Sequence, residues 1–367
     1  MTTWSWRRII SAFACSALMS CAPIPNAGFG DDANTGDSAS DGTVGLPNRE
    51  AWVAGRIVFA DIDGGRIVTT TNDGRDTSTL VEADRPACPA VSGDGQAIAF
   101  SLRDREPGEI AVMFRDGRVH RFEGLTGHDP LRVTLNADGS RIAFQEVTPP
   151  APVNACGPIH LALGNFDGTG LEAIVSGDTL CAEWPEWSAD GAFVAYAHVD
   201  LAAENPGRLC LLDPATGAQA RCFDNPAIGI AHRTWSPDSA ILLGHQFRAM
   251  RVADGREVSD PWADVTGQNP ELADGELLAA IDEAVERIGW TLVPGGMAGD
   301  VLPISVNWGN NDKLVFDALA RQGAGTEAVH IFTYDFPSGQ ATHVAGPFAE
   351  ANTNNHNFSL LCPRWVP

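Results

Sequence analysis

The sequence is almost without lysine. Only Lys313 carries an ammonium, and every other basic residue is an arginine. Lys and Arg total 24 against 47 Asp and Glu, for a formal net charge of −23. No stretch concentrates positive charge. A nucleic-acid partner needs a basic stripe to displace phosphate counterions, so that partner class is excluded. The same charge keeps a folded body soluble and repels anionic lipid surfaces. Other absences narrow the chemistry further. No Cys-x-x-Cys pair occurs and the cysteine spacings fit no zinc pattern. There is no Gly-x-Ser-x-Gly nucleophile elbow. The apolar run from Ile9 to Ser20 is too short to span a bilayer.

That run nevertheless has a use. Arg7 and Arg8 precede it, and Leu18-Met19-Ser20-Cys21 ends it. The arrangement is that of a targeting segment and resembles the bacterial lipobox. The resemblance implies cleavage before Cys21, residues 1–20 as signal peptide, and a diacylglycerol on the Cys21 sulfur. Ala22 rather than Asp follows, which by the same analogy implies the outer membrane. An ordinary signal peptide cut nearby is the competing reading. Residues 21–51 are rich in Gly, Asp, Asn, Ser, Thr and Pro and poor in large apolar residues. Such a segment buries too little to offset its ordering entropy and reads as a flexible tether.

From residue 52 on, one phrase recurs: an anchor residue, a turn centred on Asp-Gly or a relative, and a short apolar strand. Val91-Ser-Gly-Asp-Gly leads to Ile98-Ala-Phe100, and Leu135-Asn-Ala-Asp-Gly to Ile142-Ala-Phe144. Trp187-Ser-Ala-Asp-Gly leads to Val194-Ala-Tyr196, Trp235-Ser-Pro-Asp-Ser to Ile241-Leu-Leu243, and Trp308-Gly-Asn-Asn-Asp to Leu314-Val-Phe316. The sixth copy is split. Ile57-Val-Phe59 has no anchor before it, and Pro363-Arg-Trp365 has no strand after it. Strand-turn repeats at roughly 40–50 residues with about four strands each predict an all-β, six-bladed β-propeller over 52–367. The split copy predicts that the two chain ends complete one blade together. The Asp-Gly steps are expected to form two-residue hairpin turns.

One interval is too long. The surplus, about 262–300, holds an expected inserted helix, with Asn269 as cap, Pro270 in its first turn and Gly289 at its end. Leu277, Ile281, Val285 and Ile288 form its apolar stripe. It is read as packed on the propeller, with a lid or partner-docking element as the alternative.

Removing Cys15 with the signal peptide and Cys21 by acylation leaves six cysteines, an even number suited to disulfides in an exported protein. Cys210 and Cys222 flank a hairpin turn at residue 216, and Cys156 and Cys181 bracket another hairpin region. Cys88 and Cys362 each precede a proline at the start of an anchor strand. The expected pairs are Cys210–Cys222, Cys156–Cys181 and Cys88–Cys362, the last tying the C-terminus into the ring.

Pro185-Glu-Trp-Ser-Ala-Asp-Gly191 and Thr234-Trp-Ser-Pro-Asp238 resemble the TolB-type propeller repeat. The resemblance covers roughly 52–367. It implies a periplasmic propeller that binds an envelope protein, although a linker stands here where TolB carries an α/β domain. The function expected is a lipid-anchored, non-catalytic binding or scaffold protein of the bacterial envelope. Its partner would be a protein, peptide or glycan held on one face, its contact with the membrane limited to the lipid, and its state monomeric. No catalytic residue and no cofactor is expected. The alternative is a metal-dependent polysaccharide lyase or hydrolase at the central channel. Oligogalacturonate lyases use similar repeats and hold a metal with histidines and a glutamine. The candidates by that resemblance are His198, His245 and Gln246, with His232 and His356 as possible additions.

Overall fold

The computed structural model describes residues 44–102, 108–125, 129–147, 159–200, 202–203, 207–224, 234–244, 248–258, 276–293, 303–309, 313–323, 326–349 and 361–366. The elements run β1 (Ile57–Asp61), β2 (Arg66–Thr70), β3 (Thr77–Glu82), β4 (Pro86–Val91), β5 (Ala97–Leu102), β6 (Glu109–Phe114), β7 (Val119–Glu123) and β8 (Asp129–Leu135). They continue with β9 (Arg141–Val147), β10 (Ile159–Asn165), β11 (Glu172–Val175), β12 (Leu180–Trp187), β13 (Val194–Asp200), β14 (Gly207–Leu212) and β15 (Gln219–Asp224). Next are β16 (Thr234–Trp235), β17 (Ile241–Leu243), β18 (Ala249–Arg251), β19 (Glu257–Val258), helix α1 (Glu276–Arg287), β20 (Thr291–Leu292) and β21 (Pro303–Trp308). The chain ends with β22 (Lys313–Gln322), β23 (Thr326–Asp335), β24 (Gln340–Ala349) and β25 (Arg364–Trp365).

Antiparallel meanders pack side by side in a propeller-like arrangement. Four separate sheets have the blade pattern: β25-β1-β2-β3, β4-β5-β6-β7, β16-β17-β18-β19, and β21 to β24 with β20 beside β21 on the same edge of β22. The sequence reading expects six blades. The other two repeats, β8 to β11 and β12 to β15, are fused into one eight-stranded sheet by a single parallel bridge, Ile159 to Cys181. The innermost strands touch in a closed circuit: β25 lies against β4, then β8, β12, β16, β21 and back to β25.

The ends meet as the split repeat requires. Ile57 pairs with Trp365 and Val58 with Arg364. The N–H of Gly55 donates to the Val366 carbonyl, and the Val366 N–H to that of Arg56. The body also starts earlier than residue 52. The Gly45 N–H bonds the Glu82 carbonyl and the Asn48 N–H that of Leu80, so this segment runs along β3. Trp52 is fully buried and its indole N–H donates to the Gly95 carbonyl of the neighbouring blade. Residues 45–51, assigned by composition to the tether, therefore pack on the sheets.

The core lies between blades. Ala97, Ala99, Ile110 and Val112 meet Leu135, Ile142 and Phe144. Ala195, Leu209 and Leu211 meet Trp235, Leu242 and Met250. Ile57, Phe59 and Val68 meet Val315, Leu319 and Ile331, which joins the last blade to the first. A strand sandwiched between two neighbours has no solvent face, so all six residues of β5 are buried. Burying a side chain such as Phe100, Phe144 or Phe316 completely stabilises by about 1.5–3 kcal/mol.

The turns correct one expectation. Ser92, Asn136, Ser188 and Ser236 bond by their N–H to carbonyls five residues on, at Ala97, Arg141, Phe193 and Ile241. Four residues, not two, link each pair of strands. The Ser-x-Asp phrase builds this loop itself. Ser236 Oγ donates to Asp238 Oδ1 at 2.6 Å and accepts the Ile241 N–H at 2.9 Å, and the Ser92 and Ser188 loops repeat both bonds. The glycine follows in the left-handed region, with φ +66° at Gly95 and +73° at Gly191.

Helix α1 packs as the stripe predicts. Ile281, Ala284 and Val285 are buried against blade residues Phe332 and Ala341, with Ile288 at the margin. Gly289 ends it at φ +80°, and the Trp290 N–H closes on the Val285 carbonyl. Asn269 and Pro270 lie outside the described residues. Among the described residues no helix is long and apolar enough to cross a membrane.

Candidate functional site

The inner strands carry the site. Each ends on its anchor: Val91, Leu135, Trp187, Trp235, Trp308 and Trp365. Bulges interrupt β4 between Ala87 and Ala90, β8 between Leu131 and Val133, and β12 between Glu183 and Glu186. At the bulges, three residues before an anchor, Cys88, Arg132 and Trp184 take left-handed φ of 46°, 37° and 59°. Cys362 stands three before Trp365 with φ 41°. Such backbone costs energy for a residue with a side chain and is held by its surroundings. Here it turns four side chains toward one small recess of about 20 Å³, room for roughly a single water, lined by Cys88, Arg132, Trp184, Glu186, Cys362 and Arg364 among others.

Inside the recess, Cys88 and Cys362 are joined by a disulfide. The Arg132 guanidinium carbon sits over the Trp184 ring, 3.3 Å from its centre. Its Nη1 reaches the Cys88 sulfur at 3.6 Å and the Cys362 sulfur at 3.8 Å. The Trp184 N–H donates to Gln145 Oε1 at 3.0 Å, which fixes the strand under the ring.

Two residues further along, a second layer closes the axis. Arg364 on β25 and Glu186 on β12 form a two-pronged ion pair, 2.8 and 2.9 Å. Along the circuit of inner strands these two stand three places apart in either direction, so the pair bridges the ring. Around it, anchors bond to the preceding blade. The Trp187 N–H donates to Thr134 Oγ1, the Trp308 N–H to Thr234 Oγ1 and the Trp365 N–H to Asn307 Oδ1. The Trp235 indole N–H donates to the Glu186 carbonyl. The recess brings together an aromatic ring covered by one guanidinium, a second guanidinium, and one carboxylate engaged by Arg364.

The sequence candidates fall as follows. The Cys88–Cys362 and Cys210–Cys222 disulfides are formed, the latter between directly paired residues of β14 and β15. Cys181 is buried in β12, and its expected partner Cys156 lies outside the described residues. His198 is half-buried on β13, opposite Ala182 and Arg208. Burial lowers its pKa, and the Arg208 charge lowers it further. His245, Gln246, His232, His356 and Cys21 lie outside the described residues. Among the described residues no three His, Cys, Asp or Glu side chains are grouped to hold a metal. The sequence reading missed Arg132, Trp184, Glu186 and Arg364. Their signal is register: each stands three or one residue before an anchor.

A second titratable cluster lies on β23 and β24. His330 is 1% exposed, its Nδ1 is 3.1 Å from His343 Nε2, and the Trp290 ring is 4.5 Å away. Burial pushes the His330 imidazole down to about 4, with the adjacent His343 adding to the shift. Burial lowers His343 as well.

No protein-family model matches the sequence, and comparison with characterised proteins finds no match. Solved structures do match in fold. TolB from Acinetobacter baumannii superposes with a TM-score of 0.52 at 14% identity, over 85% of this chain and 67% of that one. A putative TolB from Agrobacterium tumefaciens gives 0.47 at 14% identity, over 79% and 88%. The nidogen/laminin complex gives 0.47 at 9%, over 78% and 93%. The first of these places the chain among TolB-like β-propeller folds.

Proposed function

We propose that this chain is a lipid-anchored, non-catalytic binding or scaffold propeller of the bacterial cell envelope. It engages an envelope protein, peptide or glycan through the face where the recess opens. The observation that carries this reading is the plugged axis. The Arg364–Glu186 pair bridges the ring, so no substrate passes along the axis, and a partner docks on the rim of the recess beside the part-exposed Arg132, which is seated on the buried Trp184. The TolB-like fold supports the reading, as does the lipobox pattern at Leu18 to Cys21. In this reading the propeller has six blades, the eight-stranded sheet being taken as two joined by one parallel bridge, with six inner strands in contact around the ring. The experiment is a pull-down from detergent-solubilised envelopes with the wild-type protein and Trp184→Ala. A partner retained by wild type and lost by the variant is expected. Equal retention by both would move the binding surface elsewhere.

The anchor has its own test. Cys21→Ala is expected to shift the protein from the membrane to the soluble fraction, and an unchanged distribution contradicts lipidation. The metal-dependent lyase or hydrolase is the second reading. Elemental analysis decides it: about one equivalent of Mn, Ca or Zn, lost in His198→Ala or His245→Ala, would replace the binding reading with the catalytic one.

A further inference from the structure

We propose that Cys88–Cys362 is a thiol-reactive redox site, opened by an external dithiol while the propeller stays folded. Three observations carry this. Both cysteines line the small, partly open recess and keep a slight exposure, 5% for Cys88 and 4% for Cys362. The Arg132 Nη1 stands within 4 Å of both sulfurs, at 3.6 and 3.8 Å. Its guanidinium is held there by stacking on Trp184. A fixed cation beside a disulfide stabilises the thiolate that leaves when the bond is attacked, and a better leaving thiolate departs faster.

The exchange balances as follows. One thiolate of the dithiol attacks the Cys362 sulfur and forms a mixed disulfide. The S–S bond breaks, and the Cys88 sulfur leaves with the bonding pair, its charge balanced by Arg132. The second sulfur of the reductant, giving its proton to solvent, displaces Cys362, which takes up a proton as a thiol. The reductant departs as a cyclic disulfide. Two electrons have passed to the protein, which now carries two separate cysteines. Opening the bond removes the covalent hold on β25, whose ladder to β1 is two residue pairs long. Noncovalent contacts continue to hold it, among them the Arg364–Glu186 pair, the Trp365 bond to Asn307, the Ala60 bond to the Leu361 carbonyl, the two backbone bonds of Val366, and the burial of Leu361, Trp365 and Val366. Redox state thereby sets how firmly the closing strand holds the recess.

Cys210–Cys222 serves as an internal reference. The test incubates the oxidised full chain with dithiothreitol at pH 8, quenches with iodoacetamide at intervals, and reads both disulfides by peptide mass spectrometry. Circular dichroism follows the fold in parallel. Cys88–Cys362 is expected to open with the spectrum unchanged. Arg132→Gln is expected to slow that opening about tenfold relative to Cys210–Cys222, and Arg132→Lys to restore most of it. Trp184→Leu, which removes the stacking support, slows it as well, so either variant that folds is decisive. The proposal is overturned if Cys88–Cys362 opens only as the spectrum is lost. It is equally overturned if a folded Arg132→Gln or Trp184→Leu protein opens at the wild-type rate.

Discussion

Arg364 and Glu186 are 178 residues apart in sequence and meet across the ring, the two guanidinium nitrogens at 2.8 and 2.9 Å from the two carboxylate oxygens. Their side chains are 18% and 15% exposed. A pair this sheltered leaves an uncompensated charge when one partner is removed. Glu186→Gln and Arg364→Met are each expected to destabilise by about 2–4 kcal/mol in urea unfolding. In the double-mutant cycle the two costs should overlap by about 1–3 kcal/mol. Purely additive costs would show that the two residues act independently.

The disulfide closes a sequence separation of 274 residues. In the chain-entropy model a loop of that size contributes about 5–6 kcal/mol, less any strain. Cys88→Ala/Cys362→Ala is expected to lower stability by that order. Cys210→Ala/Cys222→Ala, spanning 12 residues, is expected to cost less. Calorimetry of the two variants side by side checks the ranking.

Stability is expected to fall in mild acid because of His330. Its folded value of about 4 lies below the 6.5 of an unperturbed imidazole, so the unfolded chain binds the proton first. The contribution is fully present above pH 6.5 and is lost progressively as pH falls toward 4. Between pH 7.5 and 5 the loss is roughly 2 kcal/mol at about 1.4 kcal/mol per pH unit below 6.5. Burial of His343 adds in the same direction. Denaturant melts at the two pH values, with His330→Phe flattening the difference, test this. A variant with the wild-type slope would assign the acid loss to other groups.

The self-bonded turns make a graded prediction. Ser236→Ala removes an acceptor for the Ile241 N–H and a donor to Asp238 in a fully buried position, which costs about 1–2 kcal/mol. Ser92→Ala and Ser188→Ala are expected to cost the same, because they break the same two bonds. Thermal melts of the three variants check the equivalence.

Much of this architecture was legible because the repeat encodes local physics. Asp94, Asp190 and Asp238 bond serines two residues before them, and the anchors and apolar triplets recur at fixed offsets. The split copy gave the closure, and prolines beside Cys88 and Cys362 gave the lock. The four-residue turn was not legible, since Asp-Gly also suits the shorter hairpin. Nor were the inner-strand bulges. Cys88, Arg132 and Trp184 are not residues that favour left-handed backbone, and their conformation is imposed by packing around the axis. The stretch 45–51 looked like tether because its composition is polar, yet backbone bonds to β3 and burial of Trp52 just beyond it hold it. The fused sheet follows from one bridge that carries no sequence signal. The Arg364–Glu186 pair needs the ring to exist before the two residues are near each other.

The account rests on closure of the ring by the C-terminal strand. Hydrogen exchange on the full chain and on a chain ending at Leu360 tests it directly. Loss of β25 is expected to strip protection from β1 and β2, with Ile57 and Val58 among the first to exchange, while β13 and β14 in the far part of the ring keep theirs. Unchanged protection of β1 in the shortened chain would contradict the closure.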